Sequence, residues 1–301
     1  MRRALPTSEN FLALERDQSN LAHASVVVQQ APLERTTSYG KGAAKGPRAI
    51  IEASHQVELF DAALGCEPVA ETGGIATLPP LDTTTENAEQ FADALYTETA
   101  HWIARDKFVV TLGGEHTSVL GAIRAHCAAW NDLTVLQLDA HSDLREEYEG
   151  SRWNHACAMA RVLDFHGHVV QAGIRSEAIE ERRRVEELAL PVVYAHEILT
   201  CPPGEEGWIK RIIRACRKRV YITLDCDVFD PSVIPATGTP EPGGVTWHDV
   251  DNLFRRLCSA RNIVGMDFSE LAPIRGIHHP QFTIAKLIYR FLGIRFQGAR
   301  Q

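Results

Sequence analysis

The chain has no C-x-x-C pair, and its seven cysteines (Cys66, Cys127, Cys157, Cys201, Cys216, Cys226 and Cys258) are dispersed. That argues against a disulfide-built scaffold and suits free thiols in a reducing compartment. Long apolar runs are also missing. No stretch reaches the roughly 18 apolar residues of a membrane span. Met1-Arg2-Arg3-Ala4-Leu5-Pro6 is not followed by the apolar core of a secretory signal. The expectation is a cytoplasmic protein with no membrane partner. Basic charge is in deficit, with 31 Lys+Arg against 39 Asp+Glu and a net charge of −8. This excludes non-specific nucleic-acid binding and favours a cationic ligand. Internal repeats and low-complexity linkers are absent. With 45% hydrophobic and 23% charged residues over 301 positions, the composition is that of a globular protein with a large core. The conspicuous excess is 13 histidines.

Short β-branched runs alternate with amphipathic stretches. Strands are predicted at 25–29, 75–78, 108–112, 134–138, 169–172, 192–194, 220–224 and 263–266. Most are continuous apolar runs, as parallel strands covered on both faces require. Helices are predicted at 47–64, 86–105, 118–129, 155–165, 177–188, 208–217, 247–258 and 282–292, with Pro47 opening the first. The expected fold is one α/β domain over residues 1–301. It has a doubly wound, mostly parallel sheet between two helical layers, α/β/α.

Ligands of such sheets bind beyond the carboxyl ends of the strands. Four of these ends carry polar chemistry: Gly113-Gly114-Glu115-His116, Asp139-Ala140-His141-Ser142-Asp143, Asp225-Cys226-Asp227 with Asp230-Pro231, and Asp267-Phe268-Ser269-Glu270. In extended chain, residues two apart share a face, so Asp139, His141 and Asp143 are expected together, as are Asp225 and Asp227. Cys226 then points away. Six ligands, with His116 completing the set, exceed one tetrahedral zinc and fit two divalent ions roughly 3.5–4 Å apart. Carboxylate-rich coordination with imidazole favours Mn²⁺, two per chain. Gly40–Gly46, with Lys41 and Lys45, lacks the spacing of a phosphate-binding loop.

These blocks resemble the signature blocks of the ureohydrolase family, the arginases and agmatinases. The resemblance continues in Thr237–Gly244, in Asp267–Pro273 and in Gly46-Pro47-Arg48-Ala49-Ile50. It covers roughly residues 25–295 and is nearest to agmatinases. It implies an arginase-like fold, a manganese pair and a homo-oligomer, trimeric or hexameric. It further implies that His116 and Asp143 serve one ion, His141 and Asp227 the other, and that Asp139 and Asp225 bridge. His155 matches a proton-shuttling histidine and Glu270 a guanidinium-binding glutamate. Asp143 or His155 would protonate the departing amine. The implied reaction is attack of a hydroxide bridging the two metals on a guanidinium carbon, with urea as product.

The loop Leu144–His155 lacks the Asn/Ser/Thr-rich pattern that holds an amino-acid head group in arginases, and resembles agmatinases and aminopropylagmatine ureohydrolases. Glu146 and Glu147, with Glu149, are expected to favour a distal ammonium, and Tyr148 and Trp153 to form an aromatic wall. Thr239 stands as a further substrate contact. Where many agmatinases carry an Asp after the last block, this chain has Gly276 beside Arg275, which keeps a guanidino acid, or arginine, open as substrate. His278-His279 reads as a loop pair. A single-zinc deacetylase-like enzyme is disfavoured by the four-Asp, two-His set. A non-catalytic paralogue is disfavoured because no ligand is missing.

Overall fold

The structure is a computed structural model that describes residues 3–85, 87–202 and 204–297. Eight strands form one sheet: β1 Val26–Ala31, β2 Ile75–Pro80, β3 Phe108–Gly113, β4 Leu133–Leu138, β5 Val169–Ile174, β6 Val192–Tyr194, β7 Arg219–Asp225 and β8 Asn262–Ser269. Their order is β2-β1-β3-β8-β7-β4-β5-β6, and every pairing is parallel rather than mostly so. All eight lie where the apolar runs predicted them.

Ten α-helices are described: α1 Gly46–Ser54, α2 Pro68–Thr72, α3 Ala88–Ile103, α4 Leu120–Ala129, α5 Ala158–Phe165, α6 Ile179–Glu187, α7 Ala195–Leu199, α8 Gly207–Ala215, α9 Trp247–Ala260 and α10 His279–Gln297. Successive strand residues face opposite layers. Val220, Ile222 and Leu224 of β7 join a cluster with residues of α1, α2, α8, α9 and α10. Tyr221 joins the opposite cluster, with residues of α4, α5 and α6. The result is the three-layer α/β/α arrangement.

The differences from expectation have local causes. The first helix stops at Ser54 instead of running to 64. The chain after it turns so that buried Asp61 can meet Arg290 at 2.9 Å and Lys286 at 3.5 Å, both on α10. Helices α2 and α7, five residues each, were too short to leave a periodic signal. The expected helix start at Glu86 lies outside the described residues, as do Met1 and Arg2. His279 is not in a loop but opens α10. All seven cysteines are free, and three of them are buried.

The topology places the site. The chain leaves β3 for β4 and later returns to insert β7 and β8 between them. The four strands β3, β8, β7 and β4 are therefore adjacent, and their carboxyl ends form one crevice. Leu138 pairs with Leu224, and Leu224 with Phe268. That register puts Asp139, Asp225 and Ser269 at the same level.

One glycine holds two helices close. A Cβ on Gly121 of α4 would sit 2.1 Å from the Ala92 carbonyl oxygen of α3. Gly121→Ala should therefore cost about 1–3 kcal/mol, the usual penalty for overpacking, read as a lower denaturation midpoint. An unchanged midpoint would contradict the close approach.

Candidate metal centre

The six candidate ligands converge. His116, Asp139, Asp143, Asp225 and Asp227 are buried, and the His141 side chain is 25% exposed. Two sets of ligand atoms lie within metal-chelating distance: His116 with Asp139 and Asp225, and His141 with Asp139 and Asp227. Asp139 belongs to both. His116 Nδ1 is 2.9 Å from Asp143 Oδ2, 3.2 Å from Asp139 Oδ2 and 3.7 Å from Asp225 Oδ2. His141 Nδ1 is 2.8 Å from Asp227 Oδ2 and 3.8 Å from Asp139 Oδ1.

The local backbone is not the extended chain expected. Asp225 ends β7, and Cys226–Val228 forms a 3₁₀ turn. Asp225 Oδ1 accepts from the Asp227 N–H at 2.8 Å, and this turn swings Asp227 back beside Asp225. Asp143 reaches the cluster through a positive φ of 52°. Cys226 packs in the apolar core. Asp139 Oδ1 accepts from the His141 N–H at 2.7 Å, and Asp227 Oδ1 from the Ala140 N–H at 3.0 Å. In each of these three carboxylates one oxygen is tied to the backbone and the other faces the cluster.

The chemistry of the donors fits a metal. His116 Nε2 lies 3.0 Å from Thr223 Oγ1, whose hydroxyl donates to Asp267 Oδ1 at 2.8 Å. The Thr223 oxygen is thus left to accept, so His116 keeps its hydrogen on Nε2 and its lone pair on Nδ1. That Nδ1 is buried among three carboxylates without an aligned hydrogen bond. An imidazole oriented this way by an outer hydroxyl–carboxylate pair is a recurrent feature of metal sites.

The same burial makes Asp139 and Asp225 resist ionisation, whereas at Asp227 burial is outweighed by the neighbouring His141, which lowers the carboxyl to about 2. Burial, then repulsion by Asp227 and Asp143, pushes Asp139 up to about 7. Burial, then Asp227, Asp139 and Glu270, raises Asp225 well above the usual carboxylate range. Burial also works against charge on His141, but Asp227, Asp139 and Asp143 together lift it to about 10. Protons hold the metal-free cluster together.

Glu270 sits just past β8 with φ 62°. It is anchored by its N–H on the Gly114 carbonyl at 2.8 Å and by Oε1, which accepts from the His116 N–H at 2.7 Å. Gly114 is required there, because a Cβ would lie 2.1 Å from the Leu33 carbonyl oxygen. A cleft of about 280 Å³ opens over the cluster, and Glu270, Asp143, Asp225, Asp227, His141, His155, Thr239 and Tyr148 line it.

Other expected substrate contacts are placed elsewhere. Glu146 and Glu147 are exposed and outside the cleft. Glu146 serves Arg161 at 3.1 Å and Arg184 at 3.0 Å, and pairs with Arg152 as well. Trp153 packs against the apolar core. Arg275 is exposed outside the cleft. The carboxylates that do line it are Glu177 and Glu181, after β5. Glu177 accepts from the Ser142 hydroxyl at 3.0 Å. Neither belongs to a sequence motif, although a place after a strand end is a usable signal. Arg175 was also missed. It donates to the carbonyls of Asp227 at 2.6 Å, Glu241 at 2.8 Å and Pro242 at 3.1 Å, clamping the turn that bears Asp227. In the Gly40–Gly46 loop, the N–H groups of Gly42 and Ala44 are spent on Glu34, at 2.7 and 3.1 Å.

An α/β/α sheet with clustered carboxylate and imidazole donors at the ends of its central strands defines a protein of the metal-site hydrolase class. The comparisons make this specific. The Arginase family model matches residues 24–293, and the chain belongs to the arginase family. It is 41% identical over 289 residues to the N(1)-aminopropylagmatine ureohydrolase of Synechocystis sp., covering 94% of this chain and 93% of that one. The enzyme of the same name from Thermus thermophilus is 36% identical over 273 residues, covering 90% of each. Among solved structures, the agmatine ureohydrolase of Thermoplasma volcanium superposes with a TM-score of 0.83 at 28% identity. That match covers 100% of this chain and 96% of that one.

Asp139, with its pKa raised from the ordinary carboxylate value to about 7, and His141, raised to about 10, both bind protons more tightly in the folded chain than in the unfolded one. Their contribution to stability is therefore lost as pH rises through these intervals, and bound cations would restore it. The gap in melting temperature between metal-loaded and metal-stripped protein should widen from about pH 5 to about pH 8. A gap independent of pH would contradict the electrostatics described.

Proposed function

We propose that the chain is a metal-dependent ureohydrolase that cleaves agmatine or N(1)-aminopropylagmatine to urea and a primary amine. The observation that carries this reading is the pair of ligand sets joined through Asp139, with Glu270 facing the same cleft. The activities printed for the relatives support the substrate class. In this reading His116 and Asp143 would hold one cation, His141 and Asp227 the other, and Asp139 and Asp225 would be shared between them. Four carboxylates and two imidazoles, without a thiolate, favour two Mn²⁺ ions over one zinc. When bound, such a pair supplies a water acidic enough to act as nucleophile at neutral pH.

The chain's own residues do the rest. Glu270 offers a carboxylate to the planar guanidinium and orients its carbon toward the ligand cluster. His155, at the cleft wall, gives a proton to the departing nitrogen as the C–N bond breaks, and Asp143 is the alternative donor. Thr239 and Tyr148 flank the substrate. Glu177 suits a cationic tail, whereas Glu181 is held by the Leu144 and Ala178 N–H groups at 2.8 and 2.7 Å. The Arg145 guanidinium lies 4.6 Å from the Tyr148 ring centre and 3.7 Å from Glu181, so its charge is already countered. With Arg275 outside the cleft, nothing there is built for an anionic tail. Among the described residues no helix is long and apolar enough to cross a membrane. A cytoplasmic homo-oligomer, trimeric or hexameric, belongs to the same proposal on family resemblance.

Urea release across agmatine, aminopropylagmatine, arginine and 4-guanidinobutyrate tests the reading. With Mn²⁺ the two amine-tailed substrates should be preferred, and chelator-stripped protein should be inactive until Mn²⁺ is restored. Absence of urea from every guanidine would refute it. Asp225→Asn should lower kcat by at least about 100-fold, since even outer-sphere changes at metal sites cost 10–100-fold. Normal turnover by that variant would contradict the ligand assignment. Glu177→Gln should raise KM for the amine-tailed substrates about threefold to tenfold with kcat little changed, the pattern of lost uniform binding. An unchanged KM would remove Glu177 from substrate recognition.

A further inference from the structure

Glu115, in the turn that also bears His116, is fully buried yet is not a candidate ligand. Four donors converge on it. Its Oε2 accepts from the Arg35 N–H at 2.8 Å, the Thr36 N–H at 2.7 Å and the Thr36 hydroxyl at 3.1 Å. Its Oε1 accepts from the Thr117 hydroxyl at 2.7 Å. The segment after β1 is thereby pinned against the turn after β3.

Thr36 connects this carboxylate to His155. Its Oγ1 accepts the His155 backbone N–H at 2.9 Å and lies 3.4 Å from His155 Nδ1. A hydroxyl has one hydrogen. A carboxylate only accepts and a backbone N–H only donates, so that hydrogen goes to Glu115 and Thr36 turns lone pairs toward His155. A ring nitrogen meeting those lone pairs must be the protonated one. Nε2 is then left with the exchangeable lone pair. It lies 3.5 Å from Oγ of Ser38, an exposed residue that lines the cleft with His155. Tyr148 meets the ring edge-on, with centroids 6.3 Å apart, and limits its rotation.

We propose that Thr36, backed by Glu115, is a positioning residue that fixes the His155 imidazole with its hydrogen on Nδ1 and leaves Nε2 to carry the proton in the reaction. This rests on the role given to His155 under the proposed function. The arrangement places a carboxylate behind a histidine through an intervening hydroxyl. It would hold the ring in one orientation and one tautomer, which a general acid needs.

The test uses full-length protein with Thr36→Val, which is close in shape but lacks the hydroxyl, Thr36→Ser, which keeps it, and His155→Gln. Agmatine turnover is followed against pH, alongside metal content. Thr36→Val should lower kcat about tenfold, with KM and metal content unchanged, a loss within the usual range for general acid–base catalysis. Thr36→Ser should stay within about twofold of the parent, because the hydroxyl that does the work is retained. Nitrogen-15 spectra of histidine-labelled, metal-free protein should show His155 as the Nδ1–H tautomer, independently of turnover. An Nε2–H tautomer in the parent protein, or an unchanged kcat in Thr36→Val while His155→Gln is strongly impaired, would overturn the proposal and leave the role of His155 intact. Full activity of His155→Gln would remove that role, and the proposal with it.

Discussion

Mutual repulsion among buried carboxylates is the constraint on which the structure of this site depends. Asp139, Asp143, Asp225 and Asp227 share one end of the sheet with Glu270 and Glu115, and most of these groups are out of water. Such a cluster is unfavourable unless positive charge is brought to it, because burial and like charge both oppose ionisation. Only two imidazoles lie within the cluster. Protons compensate it in the metal-free chain, and two dications would compensate it far better. The formal net charge of −8 counts each of these carboxylates as ionised.

The surrounding structure holds the cluster together against that repulsion. Backbone N–H groups fix one oxygen each of Asp139, Asp225 and Asp227. Thr223 and Asp267 orient His116, and Gln137 reaches Asp139 Oδ2 at 2.7 Å. Arg175 gathers the carbonyls beneath Asp227, and the positive φ values of Asp143 and Glu270 place two side chains that regular strands could not deliver. Left-handed backbone at non-glycine residues persists only where its surroundings over-determine it, and here it coincides with two candidate functional groups.

Much of this was legible in the sequence. Parallel strands buried on both faces leave continuous apolar runs, and all eight were found that way. The candidate ligands were legible as a cluster because they follow those strands directly, although alternation is an incomplete geometric reason. Asp227 arrives by a 3₁₀ turn and Asp143 by a left-handed residue, neither of which alternation describes. The distal cleft was misread for a physical reason. The 144–155 loop is rich in charge, yet Glu146 is consumed by Arg152 of its own loop and by Arg161 and Arg184 on neighbouring helices, and the last two pairings are encoded by no local pattern. Glu177, Glu181 and Arg175 act through tertiary contacts and carry no spacing signature. The link from Glu115 through Thr36 to His155 joins three segments 119 residues apart at the extremes, and only the fold brings them together.

Shared carboxylates, Asp139 foremost, are proposed to couple two cation sites into a single centre. The number of Mn²⁺ ions bound per chain, measured at equilibrium in the parent protein and in Asp139→Asn, tests it most directly. The account expects two ions in the parent and a loss of both sites together in the variant, because Asp139 belongs to both ligand sets. One site retained at parental affinity in Asp139→Asn would contradict it.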